Sequence, residues 1–220
     1  MGSASAEVSR YGWIIRSPIR DAACLTLVRE ADACLVARSF GADPGEGRNW
    51  SFEEFCEEAF ACADRQSLIG LRAVGAWTLV AEESRFEGVR HDVLENASAA
   101  TEAVSIYWDL DRATTFSHAV HGEVRTSFEA ALPEYRIGTR PDDLELVRAG
   151  LPWHESEDVP LMFALAARVT GCELMPHWFA GQFLTCPVNS CEGLTTTGYP
   201  GATGDAGRAR PSGDPRGWRA

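Results

Sequence analysis

The chain contains no lysine, so all 20 of its basic residues other than histidine are arginines. Each of these cations is a planar guanidinium that stays charged at any physiological pH. The glycine-rich segment 41–47, GADPGEG, is acidic and lacks the Lys-Ser/Thr pair that ends a phosphate-binding loop. We therefore predict a turn at this segment and no nucleotide site.

Long apolar runs and a secretion signal are also absent from the sequence. No stretch approaches the ~20 consecutive apolar residues that a membrane-spanning helix needs. The first residues, MGSASAEVSRYGWII, lack the basic segment and long apolar segment of a signal peptide. The sequence therefore predicts a cytoplasmic protein that does not associate with membranes.

Metal-binding patterns are missing too. The seven cysteines are an odd number, and none stands in a Cys-x-x-Cys motif, which favours small buried hydrophobic residues over ligands. His118 and His121 are three residues apart, which places them on opposite faces of a strand. A looser set of soft ligands, predicted not to bind zinc because its spacing is irregular, comprises Cys172, His177, Cys186 and Cys191.

Catalytic motifs are equally scarce. The sequence has no Gly-x-Ser-x-Gly motif and no cysteine in a recognised protease context. Asp109 and Asp111 flank Leu110 after a predicted strand, a pattern that is more typical of a hairpin end than of a cation site. We therefore predict no catalytic residue, no bound metal and no cofactor, and we favour a protein that is not an enzyme.

Acidic residues, in contrast, are abundant. There are 32 of them against 20 arginines, which gives a formal net charge of −12. The segment 193–220 holds four arginines and two aspartates, a net charge of +2, so residues 1–192 carry −14. Such a surface repels nucleic-acid phosphates, and it can steer a basic protein partner.

The order of the predicted elements favours an α+β fold. Hairpins join most of the strands, so we expect a mostly antiparallel sheet of about six strands, with helices packed mainly on one face. Strands are predicted at 24–28, 68–74, 77–82, 103–108, 114–120 and 123–128. Helices are predicted at 31–40, 51–63, 89–97, 141–149 and 159–170, and 175–184 is a candidate for a last one.

The chain divides into three parts by composition. Residues 1–16 are expected to form a loose lead-in, and residues 17–192 are expected to form a single α+β domain. Residues 193–220 are rich in glycine and proline and have no apolar periodicity, so they are predicted to be a disordered tail.

Two tight turns fix part of the predicted sheet. Glycine comes first in the two-residue loop Gly75-Ala76, which suits a type II′ turn, and His121-Gly122 suits a type I′ turn. The second turn predicts a register in which Ala119 pairs with Val124. The same register pairs Ser117 with Thr126, Thr115 with Phe128 and His118 with Arg125.

Several segments together resemble a known family. They are CLTLVRE (24–30), FEEFCEEAFA (52–61), LRAVGAWTLVAEE (71–83), DVLENASAATEAVSIYWDLD (92–111), FSHAVHGEVRTSFE (116–129), GTRPDDL (138–144) and FALAARVTGCELMP (163–176). In this order and spacing, residues 11–186 resemble the domain-of-unknown-function family 6461, known mainly from actinobacteria. The resemblance implies an α+β domain, and it brings no established activity, cofactor or catalytic residue.

Two functions remain open from the sequence. The first is a non-catalytic interaction module, inhibitor-like or immunity-like, whose acidic surface binds a basic protein. The alternative is a small-molecule-binding domain or enzyme, with a pocket between sheet and helices near Tyr107, His118 and Arg125. A deep pocket with convergent polar groups would favour the alternative, and a flat acidic face would favour the interaction module.

Overall fold

A computed structural model describes residues 2–30, 32–155 and 158–188 of the chain, with side chains from residue 4 onward. The disordered tail predicted at 193–220 and Cys191 lie outside the described residues. The strands form one antiparallel sheet in the order β2-β8-β3-β4-β1-β5-β6-β7. They are β1 (Ala23–Arg29), β2 (Arg48–Ser51), β3 (Ser67–Val74), β4 (Trp77–Glu83), β5 (Glu102–Trp108), β6 (Thr114–Val120), β7 (Glu123–Glu129) and β8 (Gln182–Val188).

Helices cover both faces of the sheet. The described residues form α1 (Gly2–Ser9), α2 (Ala33–Ser39), α3 (Phe52–Ala61), α4 (His91–Ser98), α5 (Glu145–Arg148) and α6 (Asp158–Thr170). The larger group, α1, α3, α5 and α6, packs on one face, which we call the α6 face. The smaller group, α2 and α4, packs on the other, which we call the α4 face. None of the helices in the described part of the chain has the length and hydropathy needed to cross a bilayer.

Burial on both faces explains the composition of the strands. In β1 every residue from Ala23 to Val28 is buried. Leu25 and Leu27 belong to the core of the α6 face, and Val28 belongs to the core of the α4 face. Because both faces are covered, the buried residues of β1 are apolar except for Thr26, in agreement with the predicted strand at 24–28.

The sheet has eight strands, so the prediction of about six was too low. The two strands that were missed, β2 and β8, pair with each other, and β8 also pairs with β3. The helix considered at 175–184 was wrong: a single 3-10 turn at Pro176–Phe179 is followed by β8. A short apolar run such as 183–188 fits a strand and a buried helix equally well, and the pairing partner β3 decides between them.

Both predicted turns are present. Gly75 has φ +64°, and Val74 pairs with Trp77 across the two-residue loop. His121 and Gly122 have φ +53° and +78°, as a type I′ turn requires.

The register beyond the second turn differs from the prediction by one residue. Ala119 pairs with Val124 as expected, but a β-bulge follows, and His118 pairs with Thr126. Ser117 accordingly pairs with Ser127 and Thr115 with Glu129. Arg125 is the extra residue of the bulge, so it has no cross-strand partner on β6.

The N-terminal segment packs on the domain. Residues 1–16 were expected to be a loose lead-in, but α1 and a 3-10 turn at Gly12–Arg16 occupy most of this stretch. Tyr11 and Ile14 are buried, and the ring of Tyr11 lies 5.6 Å from that of Phe163 on α6. The segment therefore contributes side chains to the core of the α6 face.

Candidate functional site

The three residues of the predicted pocket do not share one face of the sheet. Tyr107 pairs with Cys24 on β1, on the α4 face, and its hydroxyl donates to Asp109 at 2.9 Å. His118 pairs with Val104, whose side chain belongs to the core of the α6 face. Because neighbouring strand residues alternate between faces, the sheet itself separates Tyr107 from His118.

His118 forms a pair with a carboxylate. Its Nε2 lies 2.9 Å from Oε1 of Glu102, and the histidine is 6% exposed. Arg29 lies 3.4 Å from the other oxygen of Glu102, and its guanidinium stacks over Trp77. The hydrogen bond from His118 and the charge of Arg29 hold the pKa of Glu102 below its usual value. The pair ties β5 to β6, and His118 lines neither of the two cavities described below.

Arg125, in the bulge, lies beside the loop that follows β7. Its guanidinium is 3.5 Å from Asp143, and its Nε is buried without a partner among the described residues. Its carbonyl accepts the N–H of Arg140 at 2.9 Å. Arg125 therefore holds Arg140 against the sheet edge, while Val124 and Ser127 bond to Thr139 and Ile137. Whether Tyr107, His118 or Arg125 binds a ligand stays a prediction.

A row of buried polar side chains crosses the α4 face. Cys24 and Thr26 contact the hydroxyl of Ser105 at 3.2 and 3.1 Å, and Ser117 bonds to Ser127 at 2.9 Å. At one end Glu82, which is 1% exposed, accepts the backbone N–H groups of Glu87 and Gly88 at 2.7 and 2.8 Å.

Burial dominates the chemistry of this row. It raises the pKa of Glu82 to about 7, although the two N–H groups favour the ionised form. Burial and the nearby Glu82 also raise the pKa of the Cys24 thiol, so this thiol is a poor nucleophile. A Cβ at Gly88 would collide with Thr26 and contact Glu82, so the turn closes over the row only with glycine at this position. The row is therefore part of the buried core.

The other candidates for chemistry occupy structural positions. Asp109 accepts the N–H of Ala113 at 3.0 Å, as a polar hairpin end does. Cys172 is partly buried at the end of α6, and Cys186 is buried in β8. Among the described residues no group of three or more His, Cys, Asp or Glu side chains could hold a metal ion.

Two cavities of small-molecule size open at the surface. The first, of about 260 Å³, lies where the end of β5 meets the start of α6, and its charged lining residues are Arg20, Asp109, Arg112 and Asp158. The second, of about 340 Å³, lies between the loop after β7 and α5, and Arg136, Arg148, Glu134, Glu145 and Trp153 line it. Neither cavity includes Tyr107, His118 or Arg125.

One exposed face of α3 carries carboxylates that have no cation beside them. Glu53, Glu57 and Glu58 are exposed, and none forms an ion pair with a described residue. Phe60, three residues after Glu57 and on the same side of the helix as Glu53 and Glu57, has 73% of its surface exposed. We call Glu53, Glu57, Glu58 and Phe60 the α3 acidic surface.

Cys56 lies on the buried side of α3. The pKa of Cys56 is raised to about 12, first by burial and then by the carboxylates of Glu83, Glu53 and Glu57. A capping box starts the helix: Ser51 accepts the N–H of Glu54 at 3.2 Å, and Glu54 accepts the N–H of Ser51 at 2.8 Å. The cap and the buried Phe52 and Phe55 fix which side of α3 faces solvent.

Comparison with known families supports one assignment. A sequence profile of the family of unknown function DUF6461 matches residues 4–190. The chain belongs to this family. The match includes all eight strands of the described sheet and extends beyond the segments on which the resemblance rested. Searches of curated proteins and of solved structures found no significant match.

Sequence reasoning missed the groups that surround the second cavity. Phe128, Arg148 and Trp153 belong to a strand, a short helix and a loop, and they meet only in the folded chain. The exposed acids of α3, in contrast, are visible in the sequence, where such a run is typical of a solvated helix face. Whether an arginine pairs with these acids depends on the tertiary structure, because such an arginine can come from any other element.

Proposed function

We propose that the protein is a non-catalytic interaction module that binds a basic protein partner in the cytoplasm through the α3 acidic surface. The observation that carries this proposal is the set of carboxylates on α3 without cations from the described residues. Three carboxylates on one helix face repel one another, and a basic partner relieves that repulsion on binding.

Phe60 supports a protein partner over a small counter-ion. Burial of an exposed aromatic side chain supplies apolar contact area, and aromatic residues are enriched in the centres of interfaces. The formal charge of −14 on residues 1–192 steers a basic partner toward the chain and disfavours nucleic acid. The module therefore combines long-range attraction with a local apolar contact.

The test is a capture experiment with the purified full-length chain in lysate of the source organism, followed by mass spectrometry. We expect a stoichiometric protein with a basic surface that is released as the salt concentration rises. The same protein should be lost when Glu53, Glu57 and Glu58 are all changed to Gln.

The matched control changes Glu46, Glu95 and Glu155 to Gln, which removes the same charge from exposed positions away from α3. Retention by this control and loss by the α3 variant would support the proposal. Equal retention by both variants, equal loss from both, or capture of no basic protein would overturn it.

A further inference from the structure

Arg148, at the end of α5, has an unusual environment for a guanidinium. The residue is 7% exposed, and its guanidinium lies 4.7 Å from the ring centre of Trp153 and 5.2 Å from that of Phe128. The two rings themselves meet edge to face at 5.9 Å. The aromatic contacts stabilise the cation, but they supply no acceptor for its N–H groups.

The N–H edges of Arg148 lack acceptors in the described part of the chain. No described residue accepts a hydrogen bond from its guanidinium, and its Nε is fully buried. The nearest carboxylate, Glu145, is 3.6 Å away and is also shared with Arg136 at 3.4 Å. The guanidinium thus has a carboxylate at ion-pair distance but no hydrogen bond to a described residue, so an acceptor from the adjoining cavity would supply the missing hydrogen bond.

Arg136, the other arginine of this cavity, is fully engaged. It donates to the carbonyls of Pro133 and Pro141 at 3.0 and 3.1 Å and to Asp142 at 2.6 Å. It therefore shapes the cavity wall, and the cation that remains for a ligand is Arg148.

An unpaired anion lines the same cavity. Glu134 is exposed and forms no ion pair or hydrogen bond with a described residue. The cavity is thus lined by one cation without a hydrogen bond to a described residue, by one exposed carboxylate without an ion pair, and by carbon surface from Pro133 and Trp153. Its volume is about 340 Å³, and it is broadly open to solvent.

We propose that this cavity binds a small zwitterion, a free amino acid, whose carboxylate accepts from Arg148 and whose ammonium group donates to Glu134. A ligand with two negative charges is disfavoured, because the carboxylates of Glu134 and Glu145 both line the cavity. A ligand with only a positive charge leaves Arg148 without its acceptor. This site is separate from the α3 acidic surface and does not depend on the proposed interaction.

The test is a titration of the full-length chain, at about pH 7, with each free amino acid at concentrations up to ~10 mM. The readout is the NMR resonance of the Trp153 indole N–H, which donates to the carbonyl of Arg148 at 3.3 Å. A Trp153→Phe variant assigns this resonance. We expect at least one amino acid to shift it in a saturable way. Its analogues that lack either the amino or the carboxylate group should bind roughly tenfold more weakly or worse.

Two variants decide which groups hold the ligand. Arg148→Gln should abolish binding, and Glu134→Gln should weaken it by roughly tenfold or more, as expected for a lost charged hydrogen bond. Glu95→Gln on α4 is the matched control and should bind like the unmodified chain. If Arg148→Gln fails to fold, Glu134→Gln decides alone, because Glu134 is an exposed side chain.

Three outcomes would overturn the proposal. In the first, no amino acid perturbs the Trp153 resonance. In the second, the analogue without a carboxylate or the one without an amino group binds as tightly as the amino acid. In the third, Glu134→Gln leaves the affinity unchanged.

Discussion

Glu82 is enclosed by the α4 face of the sheet and by the turn at Glu87–Val89, which supplies both of its N–H donors. Burial raises its pKa from 4.5 to about 7. The folded chain therefore binds this proton more tightly than the unfolded chain does. Protonation of Glu82 stabilises the fold, so its contribution to the free energy of unfolding is complete below about pH 4.5 and is lost as the pH rises to about 7.

We predict that the free energy of unfolding falls by about 2 kcal/mol between about pH 5 and pH 7.5 because of Glu82. Urea unfolding at a series of pH values measures this. The Glu82→Gln variant should lose that part of the pH dependence, whatever its absolute stability. Glu95→Gln, at an exposed site, should keep it, and an unchanged pH dependence in Glu82→Gln would contradict the assignment.

Glu102 behaves in the opposite sense. Its hydrogen bond to His118 and its ion pair with Arg29 lower its pKa, so its contribution to stability is present above about pH 4.5 and is lost as the pH falls further. We predict that Glu102→Gln destabilises the fold at pH 7 by about 1 kcal/mol, and that the difference from the unmodified chain disappears in acid.

Acid-induced unfolding followed by circular dichroism gives this comparison. Glu123→Gln on β7, an exposed carboxylate with no ion pair among the described residues, is a suitable control. If the difference persists at a pH below the pKa of Glu102 in both the folded and the unfolded chain, the substitution acts through packing instead.

At the scale of elements, α3 depends on its N-terminal cap. Ser51 and Glu54 exchange two hydrogen bonds that satisfy backbone N–H groups at the start of the helix. Ser51→Ala should lower the free energy of unfolding by about 1 kcal/mol in urea denaturation. Glu54→Gln should cost less, because glutamine also serves in a capping box, and an equal or larger cost would contradict this explanation.

Local signals explain which elements the sequence predicts well. Ser51 with Glu54 marks the start of α3, and Gly75 and His121-Gly122 mark two hairpins, because each signal depends on residues next to one another in the chain. The bulge at Arg125 carries no such signal. It is stabilised by the carbonyl of Arg125 accepting the N–H of Arg140, a contact from a later loop.

The candidate sites show the same limit. The exposed carboxylates of α3 follow from its helical periodicity, so their positions are predictable from the sequence. The cavity beside Arg148 is not, since its rings and charges come from separate elements and their distances depend on packing across the α6 face. His118 was recognised as a candidate, but its partner Glu102 is 16 residues earlier and was not.

For the whole molecule, the excess of negative charge should make stability sensitive to salt. Residues 1–192 carry a formal charge of −14, and screening reduces the repulsion among their carboxylates. We predict that the midpoint of thermal unfolding rises as NaCl increases from about 0.05 M to about 0.5 M, as measured by calorimetry.

The two triple variants separate local from global repulsion. The variant with Gln at 53, 57 and 58 should have a higher unfolding midpoint at low salt than the control variant, and its midpoint should rise less with salt. The reason is that the three carboxylates it has lost are neighbours in the unmodified chain. The control with Gln at 46, 95 and 155 should change less. Identical behaviour of the two variants would show that total charge, rather than the α3 acidic surface, sets the salt dependence.

The bulge at Arg125 also bears on how this chain can change in length. Val124 already pairs with Ala119 and Thr126 already pairs with His118, so Arg125 is surplus to the ladder between them. Loss of residue 125 would leave every neighbouring side chain on its present face, whereas loss of a second residue from β7 would move the remaining side chains of the strand to the opposite face. The sheet can therefore lose one residue at this position of β7 without a change of register, and the contact that such a loss removes is the one between the carbonyl of Arg125 and the N–H of Arg140.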